Sequence, residues 1–416
     1  MINLTASQNI FPKLIPYEVY NMDVWEEGPR YLIKFDNGLQ LKVTESLRNL
    51  FNYMDGTTSI GDICTMVQTN HDGNITINEL TELINEHLLP KGVLVGSEKK
   101  ASHHSAITFR IAIFHASYLK KASKYFEFLF FRGVFVLFSI FFSISLIHYF
   151  FQANTENISN TFGSVYKFTI AILLLLFSMI IHELGHIVAA YRYKIQPKDV
   201  GMGLYMMRPV LFVDLSDTWR LPRRQRVVID LGGIYFELWI FILFELCYFI
   251  SGFQEFFVAN QFILITVLYN LYPFLQYDGF WVLTDILGIA NLHTRTFQLV
   301  KSGLLGYFFF KPDYRKQFND TIKRMNRHYK IAFLTYASIY FCSVITAIWF
   351  ILRYTIYLFT SLDSFTWGNA KGAIIVIIIV LIRTIVVFTL KFKRAGREKD
   401  DKQTNHPSSR KNQESL

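Results

Sequence analysis

The sequence predicts a mainly α-helical, polytopic membrane bundle of about six spans, preceded by a small α+β winged-helix-like domain. Three observations predict it. Charged residues are only 18% of the 416, below the roughly 25% of an ordinary soluble domain. Apolar runs near the roughly 20 residues needed to cross hydrocarbon recur after position 128. Ahead of them, residues 1–97 alternate polar and apolar positions at strand and helix spacing, as a small soluble core does.

In that N-terminal segment, Tyr31–Phe35 and Leu39–Val43 read as strands, with Asp36, Asn37 and Gly38 as the turn between them. Three helices should follow. Thr44 can cap the first, which ends at Asp55-Gly56. Ser59 can cap the second, with Ile60, Ile63, Met66 and Val67 at helical spacing. Thr76 with Glu79 forms a capping-box pattern ahead of Leu80, Leu83, Ile84 and Leu88. A hairpin and three short helices match a winged helix-turn-helix layout. Residues 98–127 form a basic linker with room for an interfacial helix, and 128–391 the membrane domain. The charged tail, 392–416, should be disordered and cytoplasmic.

The predicted spans are about 128–151, 165–190, 227–251, 256–278, 331–352 and 373–391. The apolar piece Phe280–Leu292, interrupted by Asp285, reads as interfacial. Lys and Arg set the orientation: segments 152–164 and 252–255 carry none, whereas 191–226 carry eight and 292–330 carry nine. With the basic loops inside, both termini fall in the cytoplasm. The first thirty residues hold no apolar signal-peptide core, which agrees with that orientation.

A net charge of +10 could suggest a nucleic-acid partner, but the basic residues flank the apolar runs instead of forming a stripe. They fit a cytoplasmic membrane face, and no nucleic acid is expected. Cys64, Cys247 and Cys342 are scattered, which argues against disulfides and against a cysteine zinc site.

The second span contains His182-Glu183-Leu184-Gly185-His186. Helix positions i and i+4 share a face, so both imidazoles can reach one zinc ion, with Glu183 beside it as a general base. A buried structural cluster is the bland alternative. Ionisable groups at membrane depth are costly, however, and that favours a functional role.

Hydrolytic zinc commonly takes three protein ligands. Asn270-x-x-Pro273-x-x-x-x-Asp278-Gly279 in the fourth span offers the third. Counted from position 165, His182 lies about 26 Å into its span; counted from 256, Asp278 lies about 33 Å into its own if helical throughout. Pro273 and Gly279 shorten the second figure, so both groups fall near the inner edge of a core about 30 Å thick.

These paired motifs resemble the site-2 protease family of intramembrane zinc metallopeptidases. The stretches Val213–Pro222 and Leu283–Leu292 resemble its bacterial peptide zinc metalloprotease branch. The resemblance spans about residues 125–400. It implies zinc on His182, His186 and Asp278, water activation by Glu183, and a substrate- or oxyanion-positioning role for Asn270. A helix–helix hydrogen bond is the alternative role for Asn270. Tyr277 replaces the Leu that often precedes the family's Asp-Gly, a departure that leaves the ligand intact.

Residues 15–96, with Asn52-Tyr-Met-Asp55-Gly56-Thr57 and Ile60-Gly-Asp-Ile63, resemble the PqqD-like peptide-binding domain. That resemblance implies capture of a precursor peptide along Leu39, Leu41 and Val43, where a strand edge beside Ile77–Leu88 can accept an added strand. A docking module unconnected with peptides is the alternative. The combined expectation is a multi-pass bacterial membrane protease in contact with lipid, maturing a bacteriocin-like precursor alongside a peptide-modifying enzyme and an exporter. Rival expectations are regulated cleavage of a membrane-bound regulator and a non-catalytic export or immunity component. Asp214 and Asp217 read as solvated loop carboxylates, Gly232-Gly233 as helix packing, and Glu237 and Glu245 as parts of a gate. His148 reads as interfacial and His293 as a loop residue, and neither is given a role.

Overall fold

The computed structural model describes residues 11–22, 30–69, 75–97, 107–153, 164–205, 208–289, 292–323, 325 and 327–360. It separates into two compact units. The larger holds Met1–His104, Ala112–Gly201 and Leu211–Tyr340; the smaller holds Ser105–Ile111, Met202–Val210 and Phe341–Leu416.

The larger unit begins with strands β1 (Tyr17–Met22), β2 (Arg30–Phe35) and β3 (Gln40–Thr44), antiparallel in that order. The β2–β3 hairpin turns where the sequence predicts. Gly38 takes φ +79°, a left-handed value suited to glycine, and Asn37 Oδ1 accepts from the Leu39 amide at 3.0 Å. Strand β1 lies outside the predicted pair, so the sheet is wider by one strand.

Helices α1 (Glu45–Asn52), α2 (Ile60–Thr69) and α3 (Ile77–Glu82) follow. Thr44 caps α1, Ser59 Oγ accepts from the Asp62 amide, and Thr76 with Glu79 forms the capping box. After α3 the chain widens into a π-turn, Leu83–Leu88, and stops at Leu89–Lys91, where Pro90 has no amide hydrogen to continue the ladder. Ile33, Phe35 and Val43 from the sheet close over Phe51, Ile60, Ile63, Leu80 and Ile84 in one core.

The 98–127 segment holds more structure than a linker. Its described part carries strand β4 (Ile107–His115) and helix α4 (Lys120–Phe126). Between the second and third predicted spans the chain forms β5 (Asp199–Tyr205) and β6 (Arg208–Val213), in one sheet ordered β4-β5-β6. The smaller unit takes in residues 107–111, 202–205 and 208–210 of these strands. It also holds the later part of a long helix, where Arg353 lies over the Trp349 ring.

Among the described residues, three helices are long and apolar enough to cross a membrane: α5 (Arg132–Ala153), α6 (Val165–Arg192) and α7 (Arg223–Ser251). Helix α7 is far more buried than α5, so α7 is the central helix and α5 presents Phe135, Ile140, Phe141 and Ile144 outward. Helices α6 and α7 touch backbone to backbone. A methyl on Gly185 would collide with the Gly232 carbonyl, so two glycines set the spacing.

The predicted span 256–278 is not one helix. Helix α8 (Gln254–Asn270) is only 17 residues long and ends ahead of Pro273, whose carbonyl accepts from the Tyr336 hydroxyl at 3.1 Å. A turn then leads into α9 (Asp278–Leu287), where the Gly279 Cα rests against the Leu271 backbone with no room for a side chain. Helices α10 (Leu292–Gly303), α11 (Pro312–Lys323) and α12 (Arg327–Thr360) complete the described chain, and His293 is helical in α10. Predicted span 331–352 lies inside α12, which carries a shorter apolar stretch, Lys330–Thr346. Span 373–391 and the tail 392–416 lie outside the described residues.

Candidate metal centre

His182 and His186 project from one face of α6, one turn apart, with ring centroids 4.9 Å from each other. Asp278, the first residue of α9, meets them: its Oδ2 lies 2.9 Å from His182 Nε2 and 3.5 Å from His186 Nε2. The two Nε2 atoms are 3.2 Å apart. A tetrahedral zinc with bonds of about 2.0–2.1 Å has ligand–ligand edges of about 3.3 Å. The triangle fits such an ion, and among the described residues it is the group that could hold a metal.

The other ring nitrogens fix the tautomers. His186 Nδ1 lies 2.8 Å from the Ile229 carbonyl, which can only accept, so that nitrogen carries the proton and Nε2 keeps its lone pair for a metal. His182 Nδ1 donates likewise to Glu237 Oε2 at 3.0 Å. The Thr266 hydroxyl of α8 in turn donates to Glu237 Oε1 at 2.6 Å. Both imidazoles are buried, at 7% and 6% exposure, whereas the Asp278 side chain is 22% exposed. The triangle is therefore closed behind the histidines and open beside the carboxylate.

Gly233 provides the remaining space, because a methyl there would collide with both Nε2 atoms. Ile229, Gly233 and Glu237 are spaced by four along α7 and present one face to the imidazoles. The Glu183 side chain makes no hydrogen bond among the described residues and lies within electrostatic reach of both histidines and Asp278. Asn270 ends α8, half-buried, with no hydrogen bond among the described residues.

The sequence identifies the three converging groups but not the shell that orients them. Glu237, read from the sequence as part of a gate, is a hydrogen-bond partner of His182. The signal was legible: a carboxylate inside a span, four residues beyond a glycine pair, needs a buried partner. Glu245 also has partners, since His148 Nδ1 lies 2.6 Å from its Oε1 and Asn260 donates to its Oε2 at 2.9 Å, so His148 ties α5 to α7. Conversion of Glu237 to Gln is expected to lower zinc affinity by about 10–100-fold, as loss of such an outer partner does elsewhere. Competition with a zinc-sensitive chelating dye reads that shift.

Asp285 does not interrupt an apolar helix as an unpaired charge. Arg226 of α7 grips both its oxygens at 2.7–2.9 Å and also donates to the Leu221 carbonyl at 2.8 Å. Asp217 is likewise no solvated loop carboxylate. It is 9% exposed and accepts from Lys34 at 2.8 Å and Gln40 at 2.9 Å, with Lys198 at 3.2 Å. Burial alone would raise its carboxyl, but the two lysines outweigh that and hold it below the usual carboxylate range.

On the N-terminal domain, Val43 is buried in the core, and Leu39 and Leu41 pack against it. Leu39 and Leu41 are only partly buried there. What β3 offers is backbone, because among the described residues it pairs only with β2.

Over 211 residues, the chain is 23% identical to the "Putative peptide zinc metalloprotease protein YydH" of Bacillus subtilis (strain 168), covering 49% of this chain and 81% of that one. No protein-family model and no solved structure matches the chain significantly. The similarity supports a zinc metalloprotease, and with the apolar helices it supports a membrane protease.

Proposed function

We propose that this chain is a membrane-embedded zinc endopeptidase of the site-2 protease kind that cuts a ribosomally made precursor peptide during its maturation or export. The observation that carries the reading is the triangle of His182, His186 and Asp278, with edges of 2.9–3.5 Å and both imidazoles oriented by Nδ1 donation.

Bound zinc would polarise the scissile carbonyl and activate a water. His182 and His186 would hold the ion through their Nε2 lone pairs, and Asp278 would add the negative charge that neutral imidazoles lack. Glu183 accepts the proton from the attacking water and passes it to the leaving amine. Asn270, without a hydrogen bond among the described residues, is available to donate to the substrate or its oxyanion. The Gly185–Gly232 contact and the apolar shell restrict water behind the histidines.

A six-span arrangement with cytoplasmic termini, as the sequence suggests, would put the triangle near the inner face of a bacterial cell membrane. A PqqD-like N-terminal domain would take the peptide as a fourth strand along β3, bound by backbone hydrogen bonds.

The test compares purified wild type with Glu183→Ala in zinc content and in cleavage of peptides encoded by short reading frames beside the gene. Zinc in both, with cutting only by wild type, is the expected result. Equal cutting by the two removes Glu183 as the base.

A further inference from the structure

The face of the N-terminal sheet opposite its core is also covered. Lys34 and Gln40 are directly paired across β2 and β3, and both reach Asp217, one on each carboxylate oxygen. Two residues along β3, Lys42 places its Nζ 3.2 Å from the centroid of the Trp219 ring. Leu32, opposite Lys42 on the same face and outside the inner core cluster, is 1% exposed. Asp217 and Trp219 belong to one short 3-10 turn, Ser216–Arg220, which leads into α7. Sheet and turn form a continuous interface within one compact unit.

The same turn touches the helix that carries the third ligand. Trp219 meets Trp281 edge to face at 6.1 Å and lies 5.1 Å from the Arg226 guanidinium. Trp281 follows Asp278 by three residues on α9, about 4.5 Å along the helix axis. Arg226 holds Asp285 nearer the other end of that helix. Helix α9 is ten residues long, follows an irregular turn, and is held by several contacts, including the packing of Phe280 in a core shared with α10 and α12. Two of them, Trp281 and Asp285, run back to Trp219, one directly and one through Arg226.

We infer that docking of the N-terminal sheet on the Asp217–Trp219 turn positions helix α9, and with it the Asp278 carboxylate, at the metal centre. Trp219 and Arg226 are the positioning residues. Gln40 and Lys42 sit on the strand that would receive a peptide, so capture at β3 is felt by the turn and hence by the ligand helix. This last step rests on the proteolytic reading above; the mechanical link does not.

The test uses the full chain in nanodiscs, with Lys34→Ala/Lys42→Ala as the principal variant and Asp217→Asn as the second. Two properties are read: amide hydrogen exchange over residues 278–287, and affinity for Co2+ followed by its visible absorption bands. Exchange in α9 is expected to quicken and Co2+ affinity to fall by about tenfold, the lower end of the outer-shell range, while exchange over residues 60–67 stays unchanged. Faster exchange confined to residues 30–44 and 216–220, with α9 and Co2+ binding as in wild type, overturns the inference. If the double variant unfolds the domain, Asp217→Asn decides on the same two readouts. A wild type that binds no Co2+ defeats the metal reading instead, and exchange in α9 then judges the link by itself.

Discussion

A single methyl group added at Gly233 is expected to abolish metal binding while leaving the helices intact. Glycine in a helix interior is worse than alanine by about 1 kcal/mol, so Gly233→Ala favours α7 by propensity alone. The new Cβ would nevertheless lie against both His182 Nε2 and His186 Nε2, the two atoms that must face the ion. Neither imidazole can retreat readily, because Glu237 and the Ile229 carbonyl hold the opposite ring nitrogens at 3.0 and 2.8 Å. Zinc affinity should fall at least about 100-fold, beyond the range for loss of an outer partner. Elemental analysis after gel filtration, with circular dichroism to confirm the helices, checks it. Zinc at wild-type stoichiometry in the variant would mean that the Nε2 atoms do not converge where Gly233 faces them.

The metal triangle was legible because each member carries a local signal: His182 and His186 share a helical face, and Asp278 stands beside Pro273 and Gly279 at matching depth. The N-terminal core was legible for a similar reason, since Thr44, Ser59 and Thr76 with Glu79 announce three helix starts. The interior pairs were harder. Asp285 and Asp217 read alone as an interruption and a solvated charge, because Arg226 lies 59 residues from one and Lys34 lies 183 from the other. Strands β5 and β6 were hidden for another reason. Two glycines and a methionine blur the alternation of Asp199–Tyr205, and the Lys/Arg content of the segment around it is a topological signal with no preference between loop and hairpin. Helix α8 ends where Pro273 would predict, but apolar residues run on through the turn, so hydropathy alone reads a continuous span.

The Arg226–Asp285 pair should give the largest single loss of stability outside the metal centre. At 3% and 5% exposure both groups are deep in protein, and three donor–acceptor contacts of 2.7–2.9 Å join them. Removal of one partner leaves the other charge buried without compensation, at a cost of about 3–5 kcal/mol. Arg226→Met therefore strands the Asp285 carboxylate, and Asp285→Leu strands the guanidinium. Removal of both leaves neither charge of the pair buried, so the double variant should regain much of the stability lost by either single variant, less what the neighbouring Asp230 loses with the guanidinium. Denaturant unfolding of the four proteins in detergent, followed by circular dichroism, separates this from a solvated pair, for which each single change would cost less than about 1 kcal/mol. Recovery of stability need not restore the metal site. A thioether in place of the Arg226 guanidinium cannot hold α9 by directional bonds, so a double variant that is stable yet weak in zinc affinity would divide the pair's structural contribution from its effect on Asp278. A double variant no more stable than the singles would show instead that the guanidinium and carboxylate are not each other's main support.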